Sequence, residues 1–302
     1  MPDGMTAGVR RSTGHDNALH IRLAAFNHDR VAPGLPDTNW REAISTQARM
    51  LDEEAEFLEA SRKAVSVRAA SAPSDADGFV RWFEALEQNG PGQNDSLFPW
   101  LAEQATFSEM RWFLTQEISG EAGFDDLAAL TQVGMPESAK LEIARNYWDE
   151  MGRGNPKGMH GPMLEKLSVQ LELAPNVEDT VTESLALANT MMGLAANRRY
   201  AYHSVGALGA IEQTAPGRAA LVAQGLKRLG VPAENRHYFD LHAVLDIKHA
   251  EAWNAEAIHP LVAANAALAI PIAEGALMRL ECGAACFRRY RAELGLELDR
   301  LG

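Results

Sequence analysis

Apolar residues recur at three- and four-residue intervals over most of the chain, with charged residues between them, and this periodicity predicts helices almost throughout. The run REAISTQARMLDEEAEFLEASRKAVSVRAA, residues 41–70, is the longest early example and ends at SAPSDADG. Further helices are expected over 77–87, from Phe98 to about Ser119, over 125–133, and from a Pro136/Ser138 start through AKLEIARNYWDEM. The later ones cover MLEKLSVQLEL, Val181 to Gln213, Arg218 to Leu229, Ala233 to about Ile258, and Ala264 to Leu294. Stretches rich in Gly, Pro, Asn and Asp separate them, such as QNGPGQNDS, GEAGFDD, PNVED and TAPGR. One break stands out: GRGNPKGMHGP holds four glycines and two prolines and cannot continue a regular helix, yet its flanks are apolar. There is no repeat, no low-complexity tract and no sustained strand alternation, so the expectation is an all-α protein. Residues 1–17 read as a disordered lead-in, 18–95 as an N-terminal helical extension packed on the core, and 96–302 as the main helical domain.

Composition sharpens this picture. The 302 residues are 46% hydrophobic, ample for a sizeable core. A net charge of −13 argues against a nucleic-acid or anionic-membrane partner, because both would repel the surface. The opening MPDGMTAGVRRSTGHDN lacks the uninterrupted apolar stretch of a secretory signal. AANAALAIPIAEGALM is broken by Pro271 and Glu274 and is too short to span a bilayer. A soluble, cytoplasmic protein is expected. The two cysteines, Cys282 and Cys286, lie four apart without metal-knuckle spacing and read as small buried residues.

The candidate chemistry begins at FDLHAVLDIKHAEAW. Steps of four and three residues return to one helical face, so His242, Asp246 and His249 share a stripe with Trp253. Any metal held there would draw further carboxylates from facing helices. Glu117 continues the apolar stripe of Met110, Phe113 and Leu114, whereas Glu121 beside Gly120 reads as solvated. Glu212 continues that of Val205, Leu208 and Gly209, where an unpaired carboxylate would be costly. Glu150 lies near the line of Ile143 and Tyr147, with Asp149 as the alternative inward group, and His160 follows ten residues on. Glu117, Glu150, His160, Glu212, His242, Asp246 and His249 are more groups than one ion needs. Two carboxylate-bridged ions would use them all, and the donor types suit iron or manganese better than calcium or structural zinc.

HxxxDxxH at 242–249, with Glu212 about thirty residues before it and Glu117 then His160 on earlier helices, resembles the heme-oxygenase-like diiron oxidases and oxygenases, also described as iron-containing redox enzymes. FDDLAALTQVG and NYWDEMGRGNPKGMH share the likeness, which covers roughly residues 95 to 290. The resemblance implies a heme-oxygenase-like bundle of about seven core helices without heme, two Fe(II) ions per chain with manganese as the alternative, O2 as co-substrate and an external reductant. Members N-oxygenate amines, fragment amino acids or decarboxylate fatty acids. Those that oxidise nitrogen add a carboxylate at the position of Glu150, which tips the expectation towards N-oxygenation.

The substrate is less legible. Arg198, Arg199 and Tyr202, on the segment that leads to Glu212, are candidates to grip a substrate carboxylate; a solvated face paired with surface acids is the simpler reading of both arginines. Trp148 and Trp253 flank the ligands, either as walls of the site or as ordinary core aromatics. Two other classes compete: a cofactor-free, thiaminase-like helical enzyme, which needs an activated cysteine, and a non-catalytic regulatory protein with a closed metal site. The apolar C-terminal helix makes a homodimer a further expectation.

Overall fold

The computed structural model describes residues 12–36, 38–120 and 123–296, with side chains from Asp16 onward. Fourteen α-helices are described, with no strand among them. The first two are α1 (Ser12–Val31) and α2 (Trp40–Ala69). Helix α1 already includes residues 12–17, part of the expected lead-in; the remainder of that lead-in, residues 1–11, lies outside the described residues, as does Glu121.

Short helices follow: α3 (Ala76–Glu84), α4 (Leu86–Asn89) and α5 (Leu97–Glu103). The helix expected over 98–119 is two, because Thr106 accepts from the Glu109 backbone while the Glu109 side chain accepts from the Thr106 backbone. That reciprocal box starts α6 (Phe107–Ser119) afresh. Then come α7 (Phe124–Thr131), α8 (Glu137–Glu150) and α9 (His160–Gln170), the last two separated by the Gly-rich break.

The core is built on α10 (Thr182–Ala196), α11 (Ala201–Arg228), α12 (His237–Ala252), α13 (His259–Ala264) and α14 (Ala269–Glu293). The run from Val181 breaks at Asn197, whose side chain caps a 3-10 turn. TAPGR, expected to interrupt, does not. Helix α11 runs through Pro216, which supplies no N–H to the carbonyl of Glu212 four residues back. Residues Trp253–Ile258 form a π-turn between α12 and α13.

Helix α11 is the axis of the fold, packed on α14, α12 and α5. Its approach to α14 is backbone to backbone: a Cβ on Gly206 would stand 1.9 Å from the Ile272 carbonyl, and one on Gly275 would stand 1.9 Å from that of His203. Helix α1 packs on α10 and α2 on α14. Asn27 donates to Asn189 at 2.8 Å, a buried polar contact that ties α1 to α10, and Arg30 pairs with buried Glu54 at 2.9 Å, which ties α1 to α2. Two apolar clusters result. One surrounds Trp253, Tyr200, Phe79 and Phe83, and the other surrounds Phe98, Phe113, Phe287 and Tyr290. Among the described residues no single helix is long and apolar enough to cross a membrane.

Candidate metal centre

The break after α8 decides half of the site. Gly152, Arg153 and Gly154 all adopt positive φ (59°, 54° and 82°), and an antiparallel bridge pairs Met151 with Met159. A Cβ on Gly152 would lie 2.3 Å from the Gly158 carbonyl carbon, so only glycine fits there. The turn folds back so tightly that Glu150, the last residue of α8, meets His160, the first of α9: Glu150 Oε2 and His160 Nδ1 are 2.7 Å apart.

The ring of His242 stands 4.6 Å from that of His160 at 75°. Glu150, His160 and His242 thus form one triad, and Glu212, Asp246 and His249 form a second, each with ligand atoms within 4.8 Å of one another. Donors bound at about 2.1 Å from one ion lie no more than about 4.2 Å apart, so a small inward movement completes either set. Helix α12 supplies both triads. His242 and Asp246 are about 6 Å apart along its axis, which puts the two sets side by side.

The hydrogen bonds around the imidazoles leave lone pairs facing inward. His242 Nδ1 lies 2.7 Å from the Tyr238 carbonyl, which fixes its proton there and frees Nε2. His249 Nε2 lies 3.1 Å from Asp149 Oδ2, which frees Nδ1 towards Glu212 Oε2 at 3.5 Å. Neither His249 Nδ1 nor His160 Nδ1 has a hydrogen-bond partner although both are buried beside carboxylate oxygens. Nitrogen and oxygen donors crowded this closely are what a cation would hold. Imidazoles with carboxylates fit iron or manganese, and the residues present therefore fit the group.

Asp149 is not the inward carboxylate. It orients His249 and is itself gripped by Arg153 at 2.5 Å. Burial opposes its ionisation, but Arg153 and His249 outweigh that and hold it below the usual carboxylate range. Asn146 donates to Glu212 Oε1 at 2.6 Å. Burial, then repulsion from Glu212, pushes Asp246 up to about 9. For His249 burial favours the neutral ring, yet Glu212, Asp149 and Asp246 prevail and raise it to about 9. His242, dominated by burial, falls to about 4.

A cavity joins the triads. It offers about 170 Å3 to the centre of a water molecule and is lined by Glu150, Glu212, His242 and Asp246 together with Tyr238, Phe239 and Phe124. Glu117 lines this cavity too but belongs to neither triad. It accepts from Tyr290 Oη at 2.8 Å, and burial raises its pKa.

The candidate substrate residues lie elsewhere. Arg198 donates to the carbonyls of Leu130, Thr131 and Val133, and Arg199 pairs with Glu59. Tyr202 packs against the first apolar cluster. None of the three lines the cavity, because the 3-10 turn at Asn197 aims this segment away from it. Trp253 is a core residue, its indole donating to the Val205 carbonyl at 3.1 Å, and Trp148 is 53% exposed. The arginines in the cavity wall are Arg218 and Arg279. The signal for Arg279 was in the sequence: it sits among the apolar residues of ALMRLECGAA, two places before Glu281, much as Glu117 and Glu212 sit on apolar stripes.

Residues 111–284 match the family model described as iron-containing redox enzyme. Solved structures of a CADD-like protein of unknown function from Nostoc punctiforme share the fold at 19% identity. The 2.00 Å structure superposes with a TM-score of 0.56 over 72% of this chain and 97% of that one, and the 1.35 Å structure with 0.53 over 74% and 97%. No curated protein matches the chain.

Proposed function

The chain belongs to the iron-containing redox enzyme family, and from that premise we propose that it is a nonheme diiron oxidase or oxygenase acting on a small amine, amino acid or fatty-acid-like substrate. The observation that carries this reading is the pair of triads side by side on α12, their free imidazole nitrogens turned inward and a cavity against them. Each triad would hold one ion, with Glu117 as a further carboxylate on the same cavity. Bound iron would supply activation of O2 for oxidation of the substrate, with electrons from an outside donor.

The chain's own part is positioning. The Tyr238 carbonyl and Asp149 set the imidazole tautomers of His242 and His249, and Asn146 fixes the rotamer of Glu212. Phe124, Leu187 and Ile211 contribute apolar wall to the cavity. Members of this family that oxidise nitrogen carry a carboxylate at the position of Glu150, and on that likeness oxygen insertion at nitrogen is the reaction proposed over the others.

The thiaminase-like alternative has little support. Burial pushes the thiols of Cys282 and Cys286 up, Cys282 meets only Thr190 Oγ1, and neither lines the cavity. The test is an anaerobic Fe(II) titration of the metal-free protein followed by O2 exposure in a stopped-flow spectrophotometer. About two irons per chain and a transient visible band are expected. Iron taken up without any response to O2 would point to a closed, regulatory site instead.

A further inference from the structure

The cavity that meets the triads has a second, positively charged end. Arg218 on α11 and Arg279 on α14 both line it, beside Phe98, Phe113 and Phe287. The Arg218 guanidinium carbon stands 5.5 Å from the centre of the Phe287 ring and 5.8 Å from that of Phe98. Its nitrogens reach only neutral partners, Gln93 Oε1 at 3.3 Å and Thr214 Oγ1 at 3.1 Å. Arg279 has less. Its buried Nε lacks a partner, and no described residue accepts a hydrogen bond from its terminal nitrogens.

Charge is unbalanced at this end. The carboxyl that acts on both arginines is Glu117, which forms no ion pair with either and accepts from Tyr290 Oη at 2.8 Å instead. Burial, reinforced by repulsion from Arg279, draws Arg218 down to about 9. Two guanidinium groups in this wall without an anionic partner are costly, and an anion supplied by a ligand would relieve the cost. Neither arginine belongs to a triad, although both line the cavity that the triads share.

Resting on the diiron reading above, we propose that the substrate is a small organic carboxylate: its carboxylate is gripped by Arg218 and Arg279, its apolar body lies along Phe98, Phe113 and Phe287, and its other end reaches the triads. The space suits such a molecule, since an apolar cavity of about 150 Å3 takes up benzene. Arginine forks match the planar carboxylate with paired hydrogen bonds. Arg218 and Phe98 also line a neighbouring pocket together with Glu87, Gln93 and Asp95, so the two spaces share this wall.

The test is calorimetric titration of the full-length protein, before and after Fe(II) loading, with benzoate, benzamide, benzylamine and phenylphosphonate. Benzoate is expected to bind at least about tenfold more tightly than benzamide, with benzylamine weakest. Arg279→Gln should erase that preference while leaving benzamide binding and iron stoichiometry unchanged. Equal affinity for benzoate and benzamide in the unaltered protein overturns the proposal without recourse to any variant. Persistence of the preference in a folded Arg279→Gln protein overturns it too, since the carboxylate would then be bound elsewhere. Tighter binding of phenylphosphonate than of benzoate would overturn the choice of carboxylate. Benzoate selectivity in a protein that takes up no iron would sink the diiron reading and leave the anion site standing; two irons without selectivity would do the reverse.

Discussion

At the scale of single residues, the imidazole partners decide what the site can hold. His249→Ala removes a donor from the second triad, and iron uptake in the anaerobic titration should fall from about two to about one per chain. Asp149→Ala leaves every donor in place but frees the ring of His249; the stoichiometry should stay and the affinity weaken about 10- to 100-fold. The proton balance adds a pH signature. Asp246 and His249 both hold their protons up to about 9 in the metal-free fold, against ordinary values of 3.8 and 6.5. For either group the unfolded chain releases the proton earlier. The stabilisation is therefore full below the ordinary value and lost as pH rises towards 9. The melting temperature of the metal-free protein should fall between about pH 6.5 and 9, while metal affinity, which needs those protons gone, should rise over the same range. A melting temperature that climbs with pH would contradict both shifts. The α12 ligands were legible in the sequence because helical spacing alone places them on one face. The partition into two triads was not, since it depends on which helices face α12, and Arg218 was hidden by the expectation that TAPGR ends a helix which in fact passes through it.

At the scale of elements, α11 and α14 meet through Gly206 and Gly275, and the obstacle to any larger residue is backbone, which cannot swing aside. Gly206→Ala should cost about 3 kcal/mol or prevent folding, read as a lowered melting temperature. Gly217, on the same helix but with nothing within 4 Å of an added Cβ, provides the contrast: Gly217→Ala should stabilise by about 0.5–1 kcal/mol. Similar effects from both substitutions would contradict a backbone-to-backbone approach of α11 and α14. Helix existence was readable from periodicity nearly everywhere. The boundaries that failed, at Thr106 and Asn197, are set by side-chain caps that act inside otherwise continuous apolar patterns.

At the scale of the whole molecule, the two triads gather ligands from α8, α9, α11 and α12, so cation binding links segments that are distant in sequence. Iron at about a thousand times its dissociation constant should add about 4 kcal/mol to stability. Hydrogen exchange should slow most along α12, which supplies ligands to both triads. A melting temperature indifferent to Fe(II) would argue that the ions bind outside the folded core.

The bridged turn between Met151 and Met159 acts as a ruler. Because its two ends are clamped, the ten-residue interval from Glu150 to His160 is a fixed length rather than a tolerated one, and a single insertion would carry one ligand out of reach of the other. In unfamiliar genomes, therefore, a glutamate and a histidine ten apart, with a glycine two places after the glutamate, form a search pattern for this half-site that works even where overall similarity has faded.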